Sequence, residues 1–150
     1  MTQELNGFSS QTFARRRARA LDELHGGAMV LPAAPLLFRS RDTEHRYRPD
    51  SEIFYLTGCT EPGAVALLRG GEVEDPFILF LPRRDPKAEL WSGPRLGPEG
   101  ARERFGADGA YAKEDLDHRL PELLKASTRL HFRLGAHPRL DALMVGALQA

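Results

Sequence analysis

Three stretches decide the fold: Ile53-Phe54-Tyr55-Leu56, then Ala64-Val65-Ala66-Leu67-Leu68, then Phe77-Ile78-Leu79-Phe80-Leu81. Each is a short apolar run rich in branched or aromatic residues, and each ends at a breaker, so each reads as a buried strand. Gly58 stops the first, Gly70-Gly71 turns the second and Pro82 closes the third. Strands so near in sequence, joined by short turns, predict an antiparallel meander inside a sheet. Ala28-Met29-Val30-Leu31, closed by Pro32, adds a buried strand ahead of them. Residues 129–133 and a short piece around Ala110-Tyr111 supply two more.

Helical signals flank this centre. Phe13, Arg17, Ala20, Leu21 and Leu24 recur on one helical face, with the Arg17 stem laid along it. Ser9 and Ser10 offer an N-cap and Gly26-Gly27 a stop, which predicts a helix over 11–25. Residues 85–91 read as one or two helical turns, and 98–105 as a helix opened by Pro98. Further helices are expected over 116–126 and over 141–150, the latter opened near Pro138. No C-cap follows the last, so the chain is expected to be cut from something longer. Strands at the centre and helices at both ends make an α/β fold, a mixed β-sheet flanked by helices on both faces, in one domain of 150 residues.

Composition excludes several functions. Basic and acidic residues balance at 21 each, so no net field draws the chain to nucleic acid or lipid. Acidic neighbours offset the arginines between 39 and 48, and Arg15-Arg16-Arg17 reads as a solvated face. No apolar run is long enough to span a membrane, and residues 1–11 lack the apolar core of a secretory signal. Cys59 is the one cysteine and sits in an apolar setting, as a packed thiol does; this fits a reducing cytoplasm.

No catalytic constellation emerges. None of the five histidines stands in a zinc-protease helix pattern, and Ser92 lacks a nucleophile elbow. The glycines from Gly93 to Gly100 have no Walker lysine, and Pro94 and Pro98 remove amides that a phosphate cradle needs. Asp42, Glu44, Glu52 and His45 invite a metal reading, but strand alternation sets only Asp42 and Glu44 together. No metal-ligating or catalytic residue is assigned.

Specific strings carry the reading further. In order stand Leu31-Pro32-Ala33-Ala34-Pro35, Arg39-Ser40-Arg41-Asp42-Thr43-Glu44-His45 and Arg48-Pro49-Asp50-Ser51-Glu52-Ile53-Phe54-Tyr55-Leu56-Thr57-Gly58. Then come Glu61-Pro62-Gly63-Ala64, Leu79-Phe80-Leu81-Pro82-Arg83-Arg84-Asp85-Pro86 and Glu89-Leu90-Trp91-Ser92-Gly93-Pro94-Arg95-Leu96-Gly97. Together they resemble the N-terminal domain of Xaa-Pro aminopeptidases (aminopeptidase P), a family shared with creatinase and prolidase, over nearly the whole chain.

The resemblance implies a ribonuclease H-like sheet and a non-catalytic role: oligomerisation, and shaping access to an active site in a C-terminal "pita-bread" domain. There two divalent metals, commonly manganese, would serve hydrolysis of the bond before proline in peptide substrates. None of that domain's metal ligands has a counterpart here. Trp91 has two readings, a side chain packed on the sheet or an exposed indole at the substrate mouth. The resemblance favours the second, with Arg95 beside it. Arg39, Asp42, Tyr55 and Gly58 are structural: Asp42 anchors a turn with Arg39 or Arg48 as charge partner, Phe54 and Leu56 fill the core, and Thr57-Gly58 turns the chain away. The alternatives are a freestanding binding module of the same fold, with a protein or histone partner, and a prolidase N-terminal domain.

Overall fold

The computed structural model describes residues 4–5, 7–41 and 43–149. A ribbon of β1 (Glu4–Leu5) and β2 (Phe8–Ser9) leads into helix α1 (Ser10–Leu24), then strand β3 (Ala28–Pro32). A second ribbon, β4 (Phe38–Ser40) and β5 (Thr43–Glu44), precedes helix α2 (Ser51–Thr57). Strands β6 (Val65–Arg69) and β7 (Phe77–Leu81) follow, then helices α3 (Pro86–Ser92) and α4 (Gly97–Phe105). Strand β8 (Gly109–Ala112) runs through a 3-10 turn (Lys113–Asp115) into α5 (Leu116–Leu124), and β9 (Leu130–Phe132) and α6 (Pro138–Leu148) complete the order.

The main sheet has the order β8-β7-β6-β3-β9. Its three inner strands pair antiparallel, and each edge strand joins in parallel, β8 on β7 and β9 on β3. The sheet is mixed, as expected. Both faces are covered, so alternate residues of β6 and β7 serve two cores. Ala66, Leu68, Phe77, Leu79 and Leu81 pack with Phe13 of α1, Ile53 of α2 and Phe105 of α4. Val65, Leu67, Ile78 and Phe80 pack with Leu116 and Leu120 of α5 and with Leu140 and Met144 of α6. Each fully buried Leu, Ile or Phe here is worth about 1.5–3 kcal/mol of transfer free energy, and these strands carry the largest block of it. Among the described residues no helix is long and apolar enough to cross a membrane.

One expected element is different. Residues 53–56 do not form a strand; they lie inside α2. The meander exists, but its first strand is β3, which pairs with β6 in the register Val30 to Leu67. Strand propensity in Ile53, Phe54 and Tyr55 yields to stronger local signals. Asp50 caps the helix through the Glu52 amide at 3.0 Å, and Gly58 closes it in the left-handed conformation, its N–H donating to the Phe54 carbonyl. The core contacts change accordingly. Ile53 and Thr57, four apart on one helical face, are the buried pair, while Phe54 and Leu56 are only half-buried against the core.

The end of α2 is held by α1. Arg17 donates from Nη1 to the Leu56 carbonyl at 3.2 Å, and Arg16 donates to the Tyr55 carbonyl at the same distance. These contacts satisfy carbonyls that a helix end leaves open. Arg17 is buried as its periodicity predicts, with its guanidinium 4.3 Å from the centre of the Phe77 ring. Burial pushes its pKa down to about 10, against the pull of Asp108.

Candidate functional site

The structure places the expected site residues in three locations. Tyr55 and Gly58 belong to the α1–α2 contact. The Tyr55 ring is half exposed, with the Arg16 guanidinium 4.1 Å above it. Gly58 has φ +70°, and a Cβ there would stand 2.9 Å from Phe13 Cε2, so only glycine fits. Thr57 completes the turn: its hydroxyl donates to the Ile53 carbonyl at 2.6 Å and accepts from the Cys59 amide at 3.0 Å. The chain does turn out of the helix at Thr57-Gly58.

Arg39 is exposed on β4. Asp42, expected to anchor the turn beside it, lies outside the described residues. Arg48 is exposed too, and its neighbour Asp50 faces Arg133 at 3.9 Å.

Trp91 and Arg95 form the third group, around α3. This helix of seven residues buries none of them. Helices so short are marginal alone, and this one is held by specific polar contacts. Asp85 caps it by accepting from the Lys87 and Ala88 amides at 3.0 and 3.4 Å, with Pro86 at its first position. Arg84 grips Glu89 with two parallel hydrogen bonds, Nε to Oε1 at 3.0 Å and Nη2 to Oε2 at 2.9 Å. The hydrogen bonds from Arg84 hold the Glu89 carboxyl below its usual range. Gly97, at φ +66°, lets the Arg84 stem pass where a Cβ would come within 2.9 Å of it. The start of α4 is thereby locked to the base of α3.

On this braced support Leu90 is 83% and Trp91 93% exposed. Of the two readings of Trp91, the packed one fails: its indole covers no core. Arg95 is half-buried and acts on two carboxylates. Burial raises the pKa of Glu61, which the Arg95 charge and the Leu96 amide partly counter, and Arg95 also helps keep Glu89 ionised. Glu61 therefore ties the loop after α2 to the segment after α3.

Sequence reasoning missed Arg84, Glu89 and Glu61. The Asp85-Pro86 pair was a readable helix start, but a five-residue Arg–Glu spacing and a contact from Glu61 to Arg95 have no local signature. Cys59 is fully buried, and burial pushes its thiol up to about 12, far from a reactive thiolate. Among the described residues no group of three or more His, Cys, Asp or Glu side chains is arranged to hold a metal ion.

Comparison with known proteins agrees with this fold. Residues 13–131 match the family model for the aminopeptidase P N-terminal domain. The chain is 34% identical over 147 residues to the Xaa-Pro aminopeptidase of Escherichia coli strain K12, covering 97% of this chain and 33% of that protein. It superposes on the Pseudomonas aeruginosa aminopeptidase PepP with a TM-score of 0.87 and 39% identity, over 95% of this chain and 32% of that one. A zinc-substituted E. coli aminopeptidase P in complex with product gives 0.87 and 34%, over 95% and 33%. The chain thus spans about a third of the length of these relatives. With the sheet, its two helical layers and the quoted strings all in agreement, the chain belongs to the aminopeptidase P N-terminal domain family.

Proposed function

We propose that these 150 residues are the N-terminal, non-catalytic part of a Xaa-Pro aminopeptidase, an enzyme releasing the residue that precedes proline at a peptide's N-terminus. The catalytic partner is a C-terminal domain, and the N-terminal domain shapes access to its active site and contributes to a homo-oligomer. Two divalent metals, manganese in this reading, supply the hydrolytic chemistry in that other domain. The protein is cytoplasmic.

The match of residues 13–131 to the aminopeptidase P N-terminal domain supports the family part of this reading, and the Leu90-Trp91 pair, exposed on a helix that polar contacts fix in place, supports the access role. An indole that stabilises no core, on a support with bidentate bracing, is suited to meet a surface supplied from elsewhere. In a substrate mouth its flat apolar face would pack on the proline ring, and Arg95 would offer charge to a peptide's carbonyls or carboxylate. In this reading the chain's own residues bind and orient, and among the described residues none is assigned to move a proton or attack a peptide bond.

The test is expression from the complete reading frame. The complete protein should release the N-terminal residue from Xaa-Pro peptides and sediment as an oligomer, while residues 1–150 alone should release nothing. A complete protein that is monomeric and inert on such peptides would remove the proposal.

A further inference from the structure

On the α5–α6 side, where the end of β3 meets the start of β6, lies a cavity of about 200 Å3. Its apolar wall includes Leu140 and Leu143, and its polar wall is made by Lys113, Asp117, His137 and Arg139. The charges do not balance. Asp117 is already engaged by Arg139, Nη2 to Oδ2 at 2.7 Å. Lys113 makes no hydrogen bond or ion pair among the described residues, and Glu114 reaches it only as a charge at a distance. Its ammonium is tucked against the loop at Gly63, where a Cβ would stand 2.9 Å from Nζ.

The half-buried Lys113 ammonium loses part of its solvation, although the Arg139 side chain near it is 86% exposed. Burial first and Arg139 second both lower the Lys113 pKa. Helix α6 also starts at this wall, adding the positive end of its dipole. A single anion beside Lys113 would offset its lost solvation and meet the positive end of α6. The leucines ask that it carry an apolar body, and the volume, below the roughly 300–1,000 Å3 of drug-sized pockets, keeps that body small.

We infer that this cavity is a carboxylate site: a monocarboxylate on a short apolar body seats its oxygens toward Lys113, with Arg139 remaining on Asp117, and its body on Leu140 and Leu143. That carboxylate belongs either to a free small acid or to an Asp or Glu side chain from beyond residue 150. The site is separate from the Trp91 surface; its free-acid form stands on this chain alone, while its protein form rests on the proposal that the chain continues past residue 150.

The experiment is competitive labelling of lysines in the complete protein, read by peptide mass spectrometry, with isobutyrate as the probe and isobutyramide as its neutral isostere. Seating a carboxylate raises the Lys113 pKa, and each unit reduces its free amine about ten-fold. For a free acid, isobutyrate slows Lys113 labelling about ten-fold, leaves Lys87 and Lys125 unchanged, and isobutyramide does nothing. For an acid of the protein itself, a carbodiimide forms a cross-link from Lys113 to an Asp or Glu beyond residue 150. Equal protection by isobutyramide overturns the inference. So does a Lys113 that is indifferent to isobutyrate and forms no such cross-link, however fast it labels.

Discussion

Gly58→Ala is the substitution whose cost can be worked most completely from the structure. The residue closes α2 at φ +70° and ψ 5°, a left-handed conformation that costs an alanine about 1–2 kcal/mol. The added Cβ would also lie 2.9, 3.1 and 3.1 Å from three carbons of the Phe13 ring. That ring cannot easily retreat. It is buried and packs edge-on against Phe54 at 5.8 Å and Phe8 at 5.9 Å between ring centres. Overpacking of this kind adds about 1–3 kcal/mol, for a total of about 2–5 kcal/mol. In a domain of this size that corresponds to a fall in Tm of about 5–15 °C.

Gly106→Ala is the matched control. It closes α4 in a similar left-handed conformation, φ +67°, but its Cβ would meet only the tip of Arg17 at an ordinary 3.7 Å. Conformational strain alone predicts about 1–2 kcal/mol there. Urea unfolding of both variants isolates the ring contact as their difference. Equal losses would refute the claim that the Phe13 ring, and not the backbone alone, demands glycine at 58.

Other expectations follow from single groups. Arg17→Met should cost about 1–3 kcal/mol in urea unfolding, because the Leu56 carbonyl loses its donor while the apolar stem is retained. Cys59 should not react with a thiol reagent in the folded protein and should react fully once urea unfolds it, since burial both shields the thiol and keeps it protonated. Glu61 sets a pH dependence. Its folded pKa is raised above the ordinary 4.5, so the folded state holds that proton more tightly than the unfolded chain. Its contribution is full below the unfolded pKa and is lost as pH rises through the folded one, and Glu61→Gln should flatten that part of a stability–pH curve.

The sequence was most legible where burial on two faces leaves little choice. The strands at 65–69 and 77–81, the Ser9 cap and the buried stem of Arg17 all follow from pattern. It misled at residues 53–56, where β-branched and aromatic side chains suggested a strand. The capping residues Asp50 and Gly58, and two arginines each 39 positions before the carbonyl they hold, keep a helix there instead. Those arginine contacts are long-range, and no local pattern encodes them. For the site, the quoted strings singled out Trp91 and Arg95, but not what fixes them. Arg84, Glu89 and Glu61 converge only once α3, α4 and the loop after α2 are in place.

We propose that the exposed Trp91 indole meets a substrate-binding surface outside these residues. Its most direct test is Trp91→Ala in the complete protein, with steady-state kinetics on Xaa-Pro peptides alongside urea unfolding and sedimentation. Trp91 contributes nothing to the core, so stability should change by less than about 0.5 kcal/mol. Loss of a stacked indole should lower kcat/KM about ten-fold, equivalent to about 1.4 kcal/mol. Unchanged kinetics and unchanged assembly in the variant would rule out a role for Trp91 at the substrate mouth.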